Sequence, residues 1–196
     1  MSAVPKRLLT PQEYLVRERL ADFKSEYYRG EMFAMAGASF LHSLVKDNLS
    51  GETRQQLKNG PCLVVTSDLR VLVNSTGLYT YPDIVIVCDE PQFEDGVFDT
   101  LLNPTALVEV LSDSTEKYDR GAKFKQFRQI PSLREYILAA QDQALVERYV
   151  RQADDSWLLT EFKELAATFA FSSVTVRIPM TEIYRGVKFP DELRDR

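Results

Sequence analysis

Two strand-length runs constrain this chain more than any other feature: Asp83-Ile-Val-Ile-Val-Cys88 and Ala106-Leu-Val-Glu-Val-Leu111. Both are nearly continuous in Val, Ile and Leu, the pattern of strands covered on both faces. Each nevertheless carries one carboxylate, Asp83 or Glu109. Removing an unpaired carboxylate from water costs several kcal/mol even after relaxation, so such groups are paired, protonated or bound to metal. The fold therefore has to place these two acids where something meets them.

The remaining elements surround this pair. Thr10-Pro11-Gln12-Glu13 has the form of a capping box with Pro at the first helical position and predicts a helix to Asp22. Tyr27 to Ala36 reads as a hairpin turning at Arg29-Gly30. Ser39 caps a longer helix reaching Lys58, with Asn59-Gly60 at its end. Short strands follow over Leu63 to Val65 and Leu69 to Val73, joined across Thr66-Ser67-Asp68, where Asp68 reads as a turn residue. After Leu111 the pattern predicts a helix over Glu116 to Gln129, stopped by Pro131, and a strand over Arg134 to Ala139. A hairpin around Asp154-Asp155, a strand near Val174 to Ile178 and a short helix at Thr181 to Tyr184 close the chain. The order implies an α/β, mixed α+β fold with a central mixed sheet flanked by helices. One domain over 1–196 is expected, with 10–36 as an extension of its core. The acidic, aromatic stretch Asp89 to Asn103 is long for a connection and reads as a flap or an oligomer contact.

Composition narrows the chemistry. There is one histidine, His42, so neither a His-rich metal site nor a choice of triad bases is available within the chain. Metal chemistry would fall to oxygen ligands, which favours magnesium or manganese. Cys62 and Cys88 lie in apolar runs and read as small buried hydrophobes; in a reducing compartment a disulfide is not expected. No apolar run approaches the roughly 20 residues of a membrane helix, and the expectation is a cytoplasmic protein without a membrane partner. A net charge of −5 argues against nonspecific coating of nucleic acid but is compatible with a local basic rim.

Helical geometry singles out one lysine. At about 100° per residue, Lys123 points the way of Phe127 and Ile130, with Asp119 one turn earlier, whereas Lys125 faces solvent. Glu109 alternates with Leu107 and Leu111, and Asp83 opens its strand after Pro82. If the two strands are neighbours, both carboxylates approach one ion, and an inward Lys123 would orient water or offset charge on a phosphorane-like transition state. The plain alternative is a buried ion pair without catalysis. Glu31, His42 and Gln141 are secondary candidates, while Lys117, Arg120, Lys125, Arg128 and Arg134 read as a mixed solvated face.

Pro82-Asp83, Glu109-Val110-Leu111-Ser112 and the run from Ser114-Thr115 to Lys123 resemble the Uma-two family of restriction-endonuclease-like proteins, in the PD-(D/E)XK nuclease superfamily. Gly30-Glu31, Ala36-Gly37-Ala38-Ser39 with His42, and Pro131-Ser132-Leu133-Arg134-Glu135-Tyr136 extend the resemblance from about Tyr27 to Tyr184. It implies a restriction-endonuclease-like core and magnesium-dependent cleavage of DNA phosphodiesters. Asp83 and Glu109 would be the metal ligands and Lys123 the third catalytic group. The superfamily pattern places lysine two residues after the acid, where this chain has Leu111, so the lysine is expected to have moved to the following helix. DNA as partner and a homodimer or higher oligomer are the matching expectations. The rival expectations are a vestigial nuclease fold kept for nucleic-acid binding or assembly, and a hydrolase of small phosphate esters.

Overall fold

A computed structural model describes residues 7–189; the expected domain, 1–196, runs past that span at both ends. The capping box forms as written. Glu13 N–H donates to Thr10 Oγ1 at 3.2 Å and Thr10 N–H to Glu13 Oε2 at 2.9 Å, starting α1, Pro11–Glu18, which stops short of Asp22. β1, Ser25–Tyr28, and β2, Glu31–Ala34, pair antiparallel around Arg29 and Gly30. Both turn residues have positive φ, 49° and 88°, the left-handed pair that a two-residue hairpin turn needs. The Ser39 hydroxyl accepts from His42 N–H at 3.0 Å and caps α2, Phe40–Leu57.

The strands divide between two larger sheets and a ribbon, where the element order had suggested one mixed sheet. The first holds six strands in the order β11-β10-β9-β8-β6-β3. These are β3 Leu63–Thr66, β6 Ile84–Val87, β8 Ala106–Leu111, β9 Glu135–Ala140, β10 Val146–Arg151 and β11 Trp157–Phe162. Its neighbours are antiparallel except β8 and β9. The second runs β2-β1-β5-β4-β7, adding β4 Arg70–Val73, β5 Leu78–Thr80 and β7 Thr100–Leu101. The ribbon pairs β12, Thr168–Ala170, with β13, Arg177–Pro179, so the last strand lies slightly later than its apolar run suggested. The stretch Asp89 to Asn103 is folded back on the protein: Thr100–Leu101 pairs parallel with β4, and Leu102 N–H donates to the Gln92 carbonyl at 2.8 Å.

The central strands β6, β8 and β9 are buried on both faces. On one face Ile84, Ile86, Val108 and Val110 pack with Val45 and Leu49 of α2 and with Met180 and Ile183 of α5, Met180–Ile183. On the other, Val85, Leu107 and Leu111 meet Val71 and Leu78 of the second sheet and Phe127, Ile130 and Leu133. Glu109 belongs to this second face, beneath the helical segment 116–127. Cys62 and Cys88, expected as separate thiols, form a disulfide between the ends of β3 and β6. The reason is register: Leu63 opposes Val87, so one step outward Cys62 opposes Cys88.

Candidate functional site

β6 and β8 are antiparallel neighbours with Ile84 opposite Val108, and one further step sets Asp83 opposite Glu109. Directly opposed residues project to the same face, so the two carboxylates share it. Asp83 Oδ2 accepts from the Val110 N–H at 2.8 Å and lies 3.1 Å from His42 Nε2. Among the described residues no donor bonds the other oxygen, Oδ1. The neighbour condition set by the two apolar runs is met.

Lys123 arrives from above. The segment 116–127 is helical throughout, but its middle, Asp119–Lys123, is a π-turn between α3, Glu116–Tyr118, and α4, Phe124–Phe127. Such turns recur at functional sites because they re-aim side chains within a helix. Phe127 and Ile130 still anchor the segment in the core, so Lys123 faces inward as its helical angle predicted. Its Nζ lies 2.7 Å from Glu109 Oε1 and 3.5 Å from both Glu26 Oε1 and Asp119 Oδ1. Lys123, Glu109 and Asp119 are 5%, 4% and 3% exposed. The Lys123–Glu109 contact is a close ion pair, with no well-directed hydrogen bond to Glu109 Oε1.

Glu26 is the participant that the sequence reading missed. It stands on β1, accepts from the Thr80 hydroxyl and, at 2.9 Å, from the Tyr118 hydroxyl. The hairpin was read from Tyr27 onward, one residue too late to include it. Asp119, foreseen only as a helical partner of Lys123, also belongs to the cluster. Of the secondary candidates, His42 touches Asp83 directly. Gln141 accepts from the Ser39 hydroxyl at 2.6 Å, so it steadies the cap of the helix bearing His42. Glu31 opens β2 opposite Tyr28, one row nearer the turn than Glu26 on the same face of the hairpin. Arg120, expected on a solvated face, is held by Glu147 at 2.8 Å and Glu116 at 2.7 Å.

One ammonium thus faces a surplus of carboxylates. Burial pushes the Glu109 carboxyl well above its ordinary value, against the pull of Lys123 and with Asp119 and Asp83 adding to the rise. Asp119 is raised for the same first cause, with Lys123 opposing. Burial alone would lower Lys123, yet Glu109, Glu26 and Asp119 outweigh it and hold the ammonium well above the ordinary lysine range. Burial is the first cause at all three groups, and only at Lys123 do the surrounding charges reverse its direction.

The donor set can be tested against a divalent cation. No group of three or more His, Cys, Asp or Glu among the described residues is arranged to hold a metal ion. Magnesium, however, needs only one or two carboxylates and keeps water in its remaining positions. Asp83 and Glu109 are opposed across β6 and β8, Glu109 Oε1 already meets Lys123 Nζ at 2.7 Å and leaves Oε2 as its second oxygen, and the carboxylates around the pocket outnumber its one ammonium. These residues fit a two-carboxylate, oxygen-preferring ion.

The chain is similar to known proteins in both sequence and fold. The family model Uma2, described as "Putative restriction endonuclease", matches residues 11–180. Two Synechocystis sp. (strain ATCC 27184 / PCC 6803 / Kazusa) proteins, sll1609 and slr1290, both named as uncharacterized, are similar along nearly their whole length. The first is 36% identical over 176 residues, 90% of this chain and 99% of the relative. The second is 34% identical over 187 residues, 95% of this chain and 97% of the relative. Among solved structures, a "putative nuclease belonging to DUF820" from Anabaena variabilis ATCC 29413 has the same fold. The TM-score is 0.72 at 16% identity, over 90% of this chain and 97% of that one. The mixed α+β architecture is therefore nuclease-like, and the chain belongs to the Uma2 family.

Proposed function

We propose that this protein is a magnesium- or manganese-dependent endonuclease that hydrolyses phosphodiester bonds of DNA, with Asp83, Glu109 and Lys123 at its centre. The observation that carries the proposal is the opposition of Asp83 and Glu109 across β6 and β8 with Lys123 Nζ 2.7 Å from the latter. Family membership and the nuclease-like fold support the reaction class.

Asp83 and Glu109 would hold the ion, which when bound supplies a more acidic water and offsets phosphate charge. The chain's own residues do the rest. The Val110 N–H and His42 fix Asp83 through Oδ2, which leaves Oδ1 as its second oxygen. Lys123 keeps its proton because three carboxylates face it, so it brings a full positive charge against the negative charge that accumulates on a pentavalent phosphorus. Glu26 and Asp119 hold that ammonium in place from two further sides.

Calorimetric titration with magnesium or manganese should show binding to the wild type that Asp83→Ala abolishes. Purified wild type should cut single- or double-stranded DNA in a metal-dependent way, and Glu109→Ala and Lys123→Ala should reduce the rate at least a hundredfold. Equal metal binding by wild type and Asp83→Ala would falsify the assignment, and cutting that survives Glu109→Ala would place the activity elsewhere. A second reading, a nuclease fold kept for binding, draws on the near-complete burial of Glu109 and on Leu111 at the usual lysine position. It predicts no metal-dependent cutting, and Asp83 variants that change stability alone.

A further inference from the structure

Two lysines outside the acidic pocket converge on one residue. Lys24 Nζ donates to the Ser67 carbonyl oxygen at 2.7 Å, and Lys46 Nζ donates to the Ser67 hydroxyl at 3.0 Å. They come from different elements: Lys24 precedes β1 and Lys46 lies on α2. Ser67 forms the tight turn between β3 and β4, with a left-handed φ of 53°. Its N–H donates to the Asp83 carbonyl at 3.1 Å, so the turn is one hydrogen bond away from a proposed metal ligand. Lys46 is also one helical turn beyond His42, whose Nε2 is 3.1 Å from Asp83.

Charge makes this arrangement unusual. The chain carries −5 overall, yet here two ammonium groups are drawn together, with Asp68 at 2.5 Å from Lys24 as counter-charge. The Asp68 side chain is 86% exposed, and such surface pairs contribute little. Lys24 bonds the carbonyl of Ser67 and Lys46 its hydroxyl, so both charges are held at one turn. The second leaves a local positive surplus, within reach of solvent since the Lys24 side chain is 39% exposed.

We infer that Lys24 and Lys46, gathered at Ser67, form a phosphate-binding subsite that holds the DNA backbone next to the reacting position. The inference deepens the endonuclease reading and rests on it for the substrate class. Lysine binds phosphate as a compact charge, so the subsite is indifferent to base sequence and sensitive to salt.

Fluorescence anisotropy with fluorescein-labelled single- and double-stranded DNA, in calcium and over a series of sodium chloride concentrations, tests it. Lys24→Gln and Lys46→Gln should each weaken binding about tenfold and reduce the slope of log K against log salt by about 0.7–0.9. Lys46→Arg should restore the slope, separating charge from folding. Lys163→Gln, which changes net charge equally just past the end of β11, should leave affinity and slope as in the wild type. Wild-type affinity and slope in both Gln variants would overturn the subsite, as would failure of the wild type to bind either probe. Asp83→Ala provides the distinction: if it leaves cutting intact while the lysine variants lose binding, the catalytic reading fails and the subsite stands.

Discussion

Lys123→Met tests whether the ammonium is what makes the buried acids tolerable. Methionine keeps an unbranched stem of similar reach, so packing changes little while the charge disappears. The charge sits 2.7 Å from Glu109 and 3.5 Å from Glu26 and Asp119, in a pocket where Glu109 and Asp119 are 4% and 3% exposed. Removing one partner of a buried pair costs about 3–5 kcal/mol, because the remaining charge is left without compensation. Here the acids have an escape, since they can bind protons. Glu109 and Asp119 are already raised above 4.5 and 3.8 by burial, and without Lys123 they rise further. A raised folded value means stability that is complete below the unfolded value and lost as pH climbs through the folded one. The penalty should therefore be largest near pH 8 and shrink by about 1.4 kcal/mol per pH unit for each extra proton that the folded variant holds. Urea unfolding followed through Trp157, the only tryptophan, which lies edge-on to Phe124 at 5.3 Å, measures this at pH 5.5 and 8. Adding Glu109→Gln to Lys123→Met should recover part of the loss. A penalty below about 1 kcal/mol, the size of a surface pair, or one equal at both pH values, would refute the reasoning.

Two further outcomes follow from the fold. Reducing the Cys62–Cys88 bridge, whose cysteines are 26 residues apart, should lower stability by about 3–4 kcal/mol on loop entropy; identical unfolding midpoints with and without dithiothreitol would contradict a disulfide. Gly30→Ala should destabilise more than Gly77→Ala, each losing about 1–2 kcal/mol to its positive φ. Only at Gly30 does the new Cβ fall 2.6 Å from Leu8 Cβ, and equal thermal unfolding temperatures for the two variants would remove that contact from the account.

Asp83 and Glu109 were legible because a lone carboxylate in an otherwise apolar strand is a local anomaly. Lys123 was legible because Phe127 and Ile130 set the buried side of its helical segment, and the π-turn ends at Lys123 while regular α-helix links it to Phe127. What escaped depends on pairing between distant strands. The apolar content of Leu63–Thr66 and Ile84–Val87 marks two strands but not their register, and register alone brings Cys62 to Cys88. Glu26 was hidden for the same reason, since its role needs β1 to lie against β5, where Tyr27 opposes Tyr79 and Thr80 can bond the carboxylate. The two-residue β7 lies in an acidic stretch that reads as a loop, and its strand character comes from its parallel partner β4 and from an antiparallel bridge between Leu101 and Phe93.

The position of the lysine has a consequence for how site and fold are linked. A lysine two residues beyond Glu109 would stand on the same strand and move with it. Leu111 fills that place at 3% exposure and packs with Phe127 and Leu133, so beyond Glu109 the strand's inward row ends in an apolar residue. The ammonium comes instead from the segment above, whose seat depends on Phe124 stacking on Tyr136 at 5.2 Å and on Phe127 in the core. Its distance to Glu109 is thus set by helix-on-sheet packing rather than by strand geometry. Loosening that packing would separate the charges before it unfolded the sheet, leaving acids that repel both one another and a phosphate. Glu26 and Asp119 reduce this hazard by holding the ammonium from the hairpin and from the preceding turn, so three elements must be in register for one cation to reach its place.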